Sequence, residues 1–171
     1  PHFVEYFHQL DDPYSHLTAQ VLTKFAARYD IVIKPHLINA TGGKNQPRPA
    51  ELAVWSRRDA TLIAPHYGLN FPQDASETPS PDLQSLAANY LAALSPEAFL
   101  SEIEAVSTAL WKDDKAFFAR RAEPCADGAA ARVAGSQRMA ELRHYSGATF
   151  YYAGEWYWGV DRLFYLEARL Q

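Results

Sequence analysis

Hydrophobic positions change period several times along the chain, and each change marks an element. Val4, Tyr6 and Leu10 fall on one parity, with Phe3 and Phe7 on the other, which predicts a short buried strand. Asp12 and Pro13 then read as a helix start, Asp as N-cap and Pro in the first turn. Leu17, Val21, Leu22 and Phe25 continue at helical spacing to Tyr29-Asp30, and a second strand opens at Ile31-Val32-Ile33. The unit is strand, sharp turn, helix, strand. It aims a helix N-terminus at the strand's C-terminal end, the first place to look for a bound group.

The middle of the chain is helical. Leu52, Trp55, Ala60, Ile63 and Ala64 form one amphipathic stretch, stopped around Pro65 and Gly68. A polar loop covers 73–81. Ser80-Pro81-Asp82 and Ser95-Pro96-Glu97 are both N-cap-plus-Pro starts, the first followed by Leu83, Leu86, Ala87, Tyr90, Leu91 and Leu94 and the second by a buried stripe of Phe99, Leu100, Ile103, Val106 and Leu110. A short helix runs to about Arg121, and Glu123-Pro124-Cys125 breaks it. Ala126 to Arg143 predicts a further helix with small-residue faces suited to close packing. Ala148–Tyr152 and Glu155–Trp158, joined by Ala153-Gly154, predict a hairpin. Asp161–Leu170 predicts the last helix. Half of the rings in the aromatic run 151–158 belong on the core face by strand alternation.

With 171 residues, 48% of them hydrophobic, the chain suffices for one domain with a real core. A net charge of −4 points away from nucleic acid and polybasic membrane contacts, and no apolar run is long enough for a membrane span. The expected partners are a small-molecule substrate and either a second copy or a neighbouring domain, since an opening on Pro1 reads as an excised piece. One cysteine, Cys125, leaves no pair for dithiol chemistry and fits a reducing, cytoplasmic setting. It reads as a bystander. His8, Asp12 and His16 have no metal-ligand spacing, so no metal site is expected.

Glu5-Tyr6-Phe7 followed by Asp12-Pro13-Tyr14-Ser15 resembles the opening of the DsbA-like thioredoxin-fold superfamily, nearest to 2-hydroxychromene-2-carboxylate isomerases and kappa-class glutathione transferases. Lys34-Pro35-His36-Leu37-Ile38 with Asn45-Gln46-Pro47, and Thr149-Phe150 through Gly159-Val160-Asp161-Arg162-Leu163, resemble further stretches of that family. The resemblance implies an α/β, thioredoxin-like domain (1–49 and 126–171) with an inserted helical subdomain (50–125). It implies glutathione as cofactor, with Asn45, the loop at Ala148-Thr149 and Asp161 binding it. Asp12 and Ser15 fall on the family's Ser-Pro-Tyr-Ser positions. Asp12 replaces the residue that contacts sulfur, and Ala148 replaces the family's cis-proline. Leu52 falls near a basic position of the family. From the residues alone, Asp12 is either a helix cap or a general acid or base, and Asp161 either a ligand contact or a carboxylate favoured at a helix start. Two functions stay open: a glutathione-dependent isomerase or transferase, and a degenerate domain with a structural or binding role. The Gly147–Ala148 peptide is expected to be trans, because a cis bond before a non-proline residue costs about 3–4 kcal/mol.

Overall fold

A computed structural model describes residues 1–75 and 77–171; Ser76, inside the expected 73–81 loop, lies outside the described residues. Strand β1 (His2–Gln9) and strand β2 (Ile31–Ile38) pair in parallel along their whole length, from His2 against Ile31 to Gln9 against Ile38. The expected single helix between them is two, α1 (Pro13–Ala19) and α2 (Leu22–Arg28). A tertiary contact accompanies the break. Gln20 exchanges two hydrogen bonds with the backbone of Asn70, donating to its carbonyl at 2.8 Å and accepting from its N–H at 3.0 Å. The backbone tightens to three-residue turns there, with the Val21 N–H on the Thr18 carbonyl.

Between the two halves of the sheet lie α3 (Pro49–Ile63), α4 (Pro81–Ala92), α5 (Pro96–Trp111) and α6 (Lys115–Ala119). The Ser80 and Ser95 hydroxyls accept the Leu83 and Ala98 N–H groups, so both Ser-Pro starts behave as their sequence predicts. Helix α7 (Gly128–Glu141) begins two residues inside the expected stretch because Asp127 caps it. Strands β3 (Thr149–Tyr152) and β4 (Glu155–Trp158) form the expected hairpin, with positive φ at both Ala153 and Gly154. Helix α8 (Leu163–Leu170) closes the chain, starting two residues later than Asp161. No helix among the described residues is long and apolar enough to cross a membrane.

The sheet order is β2-β1-β3-β4, with β3 antiparallel to both its neighbours. Strand alternation separates two faces. Val4, Tyr6, Ile33, Leu37, Phe150 and Tyr157 join Leu22 and Phe25 of α2, Leu83, Ala87 and Leu91 of α4, Phe99, Ile103 and Leu110 of α5, and Leu166 and Leu170 of α8 in the main core, while Leu86 of α4 is 49% exposed. Phe7 and Ile38 meet Met139 of α7 on the other face, with Tyr151 and Trp156 beside them. That face is uncovered at its start, so Phe3 stands 73% exposed.

Helix α7 lies directly on the backbone of β2. A Cβ on Gly135 would sit 2.0 Å from the Leu37 carbonyl oxygen, which is why a small residue is required there. A polar anchor fixes the same contact. Arg138 donates to both Glu5 oxygens, at 3.0 and 2.6 Å, and His36 Nε2 lies 2.8 Å from Glu5 Oε2. Those Arg138 bonds, against the cost of burial, hold the Glu5 carboxyl below its usual range. Gly135→Ala must displace α7 from the sheet. We expect a loss of about 2 kcal/mol or more, read as a fall of several degrees in the thermal midpoint.

His8 and His16 are buried in the core. His8 shares a 2.7 Å hydrogen bond with the Tyr6 hydroxyl, and His16 one of 2.7 Å with Ser107. Burial pushes His8 down to about 3 and His16 to about 4, and His36 and His144 shift the same way. A base depressed by folding stabilises the fold fully above its unfolded pKa, near 6.5, and loses that contribution as pH falls towards its folded value. Stability should therefore decline from pH 7 to pH 4 in urea titrations. A flat profile over that window would show that these rings are not held neutral.

Candidate functional site

The chain leaves β1 at Gln9 and turns through Leu10-Asp11 into α1, and Asp12 makes that turn. One carboxylate oxygen of Asp12 accepts the Tyr14 N–H at 3.2 Å; the other accepts the Ser15 N–H at 3.0 Å and the Ser15 hydroxyl at 2.8 Å. The Ser15 oxygen in turn accepts the Gln9 N–H at 3.2 Å. Ser15 is fully buried and locks the Asp12 side chain to the strand end. Gly147 covers the pair from the other half of the fold; a Cβ there would lie 2.8 Å from Gln9 Cβ and 3.0 Å from Ser15 Oγ. Burial outweighs the three donated hydrogen bonds and carries the Asp12 carboxyl up to about 6, with Asp11 adding a smaller push.

Asp12 opens into a cleft of about 700 Å³. The strand end and α1 contribute Gln9, Asp11, Asp12, Pro13 and Tyr14, and α3 contributes Leu52, Ala53, Ser56, Asp59 and Ile63. The far wall is Ser146-Gly147-Ala148 with Trp158 to Asp161. Tyr14 spans two walls, its hydroxyl donating to Asp59 at 2.6 Å. Four of the lining residues are aspartates, and none of the described ones is Lys, Arg or His.

Three of the residues singled out in the sequence meet in this cleft: Asp12, Ala148 and Asp161. Ser15 and Thr149 lie behind it, both fully buried, Thr149 donating to the Ser146 carbonyl at 3.0 Å. Asn45 is exposed, in the 43–45 turn, and its neighbour Gln46 lines the cleft instead. Leu52 makes the wall apolar where the resemblance implies a basic residue. The only cis peptide among the described residues is Glu123–Pro124, so the Gly147–Ala148 bond is trans as expected. Ala148 takes φ +56° instead, a left-handed conformation that costs a non-glycine residue about 1–2 kcal/mol, and its carbonyl accepts the Gly159 N–H at 2.7 Å. Cys125 is exposed and outside the lining. His8 and His16 bond to Tyr6 and Ser107, and the described residues contain no group of three or more His, Cys, Asp or Glu set to hold a metal.

Asp59 and Tyr14 have no assigned role in the sequence reading. One signal was available for Asp59. Leu52, Ser56, Asp59 and Ile63 recur at helical spacing, so α3 carries a polar-interrupted stripe toward the cleft, while Trp55, expected on the buried side, is 63% exposed.

No protein-family model matches the chain, and no curated protein matches it. Solved structures do. A 2-hydroxychromene-2-carboxylate isomerase superposes with a TM-score of 0.66 at 18% identity, over 98% of this chain and 93% of that one. A probable DsbA oxidoreductase of Streptomyces coelicolor superposes with a TM-score of 0.53 at 13% identity, over 99% of this chain and 88% of that one. With a β2-β1-β3-β4 sheet whose β2 and β3 are separated by α3 to α7, and with both likenesses running nearly end to end, the chain has the DsbA-like thioredoxin fold.

Proposed function

We propose that the chain is a small-molecule enzyme of isomerase type, in which Asp12 takes a proton from a substrate held in the cleft and returns it. The observation that supports this is the Asp12 carboxyl itself: fixed by three hydrogen bonds, open to the cleft, and raised to about 6 by burial. Near neutral pH such a group is present in both protonation states, the condition for efficient general acid–base catalysis. The cleft volume is in the range of small-molecule sites, and its mixture of apolar wall and a few convergent polar groups suits one. Disulfide exchange has no place in it, since Cys125 is the single thiol and lies elsewhere.

Glutathione is the weaker ligand. Its two carboxylates would meet no Lys, Arg or His among the described lining residues, and its sulfur would meet Asp12. A thiolate there would also compete for the Tyr14 and Ser15 N–H groups that Asp12 already uses. A degenerate binding domain is the remaining reading. It accounts for the cleft but gives no role to a carboxyl poised near neutrality.

The test is proton exchange. In D₂O, a panel of small enolisable carbonyl compounds is followed by proton NMR for loss of the C–H signal. We expect at least one compound to exchange with the wild type and Asp12→Asn to slow it by about 10²–10⁴-fold. Exchange unaffected in Asp12→Asn would overturn the assignment, and no exchange with any compound would favour the binding reading. The carboxyl carbon of Asp12 should titrate at about 6. A carboxyl raised by folding favours the folded state below its unfolded pKa and loses that contribution as pH rises through 6, opposite in sign to the buried histidines. Asp12→Asn keeps an N-cap but removes this opposition, so its stability should fall more steeply than the wild type's between pH 6 and pH 4. Calorimetric titration with millimolar glutathione should give no binding, and a micromolar Kd would restore the glutathione reading.

A further inference from the structure

We propose that the ligand of the cleft carries a protonated amine, and that Asp59, held in place by Tyr14, is the residue that selects it. The inference rests on the reading of the cleft as a ligand site and adds the charge of what enters.

Tyr14 and Asp59 come from helices α1 and α3, 45 residues apart, and their 2.6 Å hydrogen bond is a polar link between the two walls. Tyr14 has one O–H proton, and Asp59 receives it. Burial and Asp59 together push the phenol well above its ordinary range, so the ring stays neutral. What the pair offers a ligand is the lone pairs of the phenol oxygen and the rest of the Asp59 carboxylate. Ser56 behaves alike: its hydroxyl donates to the Leu52 carbonyl at 2.7 Å, leaving an acceptor at the wall.

Asp11 and Asp12 line the same space, and among the described residues neither they nor Asp59 form an ion pair. Asp161 differs, with Arg162 Nε at 3.9 Å; that guanidinium lies over the Trp158 ring at the rim and is not part of the lining. Uncompensated carboxylates around a concave space with apolar walls concentrate negative potential in it. A cation entering gains the sum of those attractions, and an anion pays it. Two observations independent of the charges also point to a ligand. Ser146, in the same lining, has a buried Oγ with no hydrogen-bond partner among the described residues. Trp158 and Tyr67 stand 40% and 45% exposed while lining the cleft, leaving aromatic surface for the body of an arylalkyl amine.

The experiment compares two probes of nearly one shape at pH 7.5 on the full chain: 2-phenylethylammonium and 3-phenylpropionate, titrated by NMR or calorimetry. We expect the ammonium to bind at least about tenfold tighter, Asp59→Asn to weaken it about tenfold, and Tyr14→Phe to weaken it severalfold by freeing the Asp59 side chain. Thermal melts check that both variants fold; if Asp59→Asn does not, Tyr14→Phe carries the test. Equal or tighter binding of the carboxylate overturns the proposal, as does unchanged ammonium affinity in the folded variants, or no binding of either probe. The two readings fail separately. Asp12-dependent proton exchange without ammonium preference sinks this inference alone, and ammonium preference without such exchange sinks the catalytic assignment alone.

Discussion

A carboxylate in the turn between β1 and α1 sets the terms for the rest of this protein. Asp12 gives the first helical turn its hydrogen-bond acceptor, and through Ser15 it reaches back to the Gln9 N–H at the end of the strand. The angle at which the chain leaves the sheet is thereby fixed. Every wall of the cleft is then defined relative to that corner: α3 through Tyr14 and Asp59, and the 146–148 loop through the close approach of Gly147. A residue that only capped the helix would sit best in water, where ionisation is free. Here the cap is buried, and its raised pKa is the consequence.

The elements with local causes were legible in the sequence. Ser-Pro starts, the alternation in β1 and the Ala153-Gly154 turn each depend on residues within a few positions of one another, and the structure follows them. The misses have distant causes. The break between α1 and α2 coincides with Gln20 holding Asn70, 50 residues away, which no helical period can show. The apolar period of α3 places Trp55 with Ala60 and Ile63, but the helix turns its Ser56–Asp59 side to the cleft and leaves the indole in solvent. The late start of α7 follows from its Asp127 cap, whereas α8 begins after Arg162 with no side-chain cap. Within the site, Asp12 could be found from its own neighbours, whereas Asp59 becomes meaningful only once the fold brings it to Tyr14.

Ala148 illustrates a different kind of limit. The sequence signalled that proline was missing, and the expectation of a trans bond was met. The consequence lay in the other torsion. A left-handed alanine keeps the loop against Asp12 and points its carbonyl at the Gly159 N–H, linking the loop before β3 to the turn after β4. The strain of about 1–2 kcal/mol is sustained by burial on both sides, since Ala148, Thr149 and Phe150 are all enclosed.

Fold and chemistry therefore separate at one corner of the molecule. The remote parts, the Glu5–Arg138 anchor and the close seat of α7 on β2, hold a sheet arrangement shared with proteins at 13–18% identity. At the corner itself, two backbone N–H groups that could support a thiolate are already taken by Asp12. A carboxylate there repels an anionic sulfur, and under the proposed reading it is the group that moves the proton. Asp11 and Asp59 line the same cleft without an ion pair among the described residues, and under the proposed reading their charge favours a cation over an anion. A charge change of that kind leaves the packing of the sheet untouched, and so a fold can persist while its binding chemistry turns over.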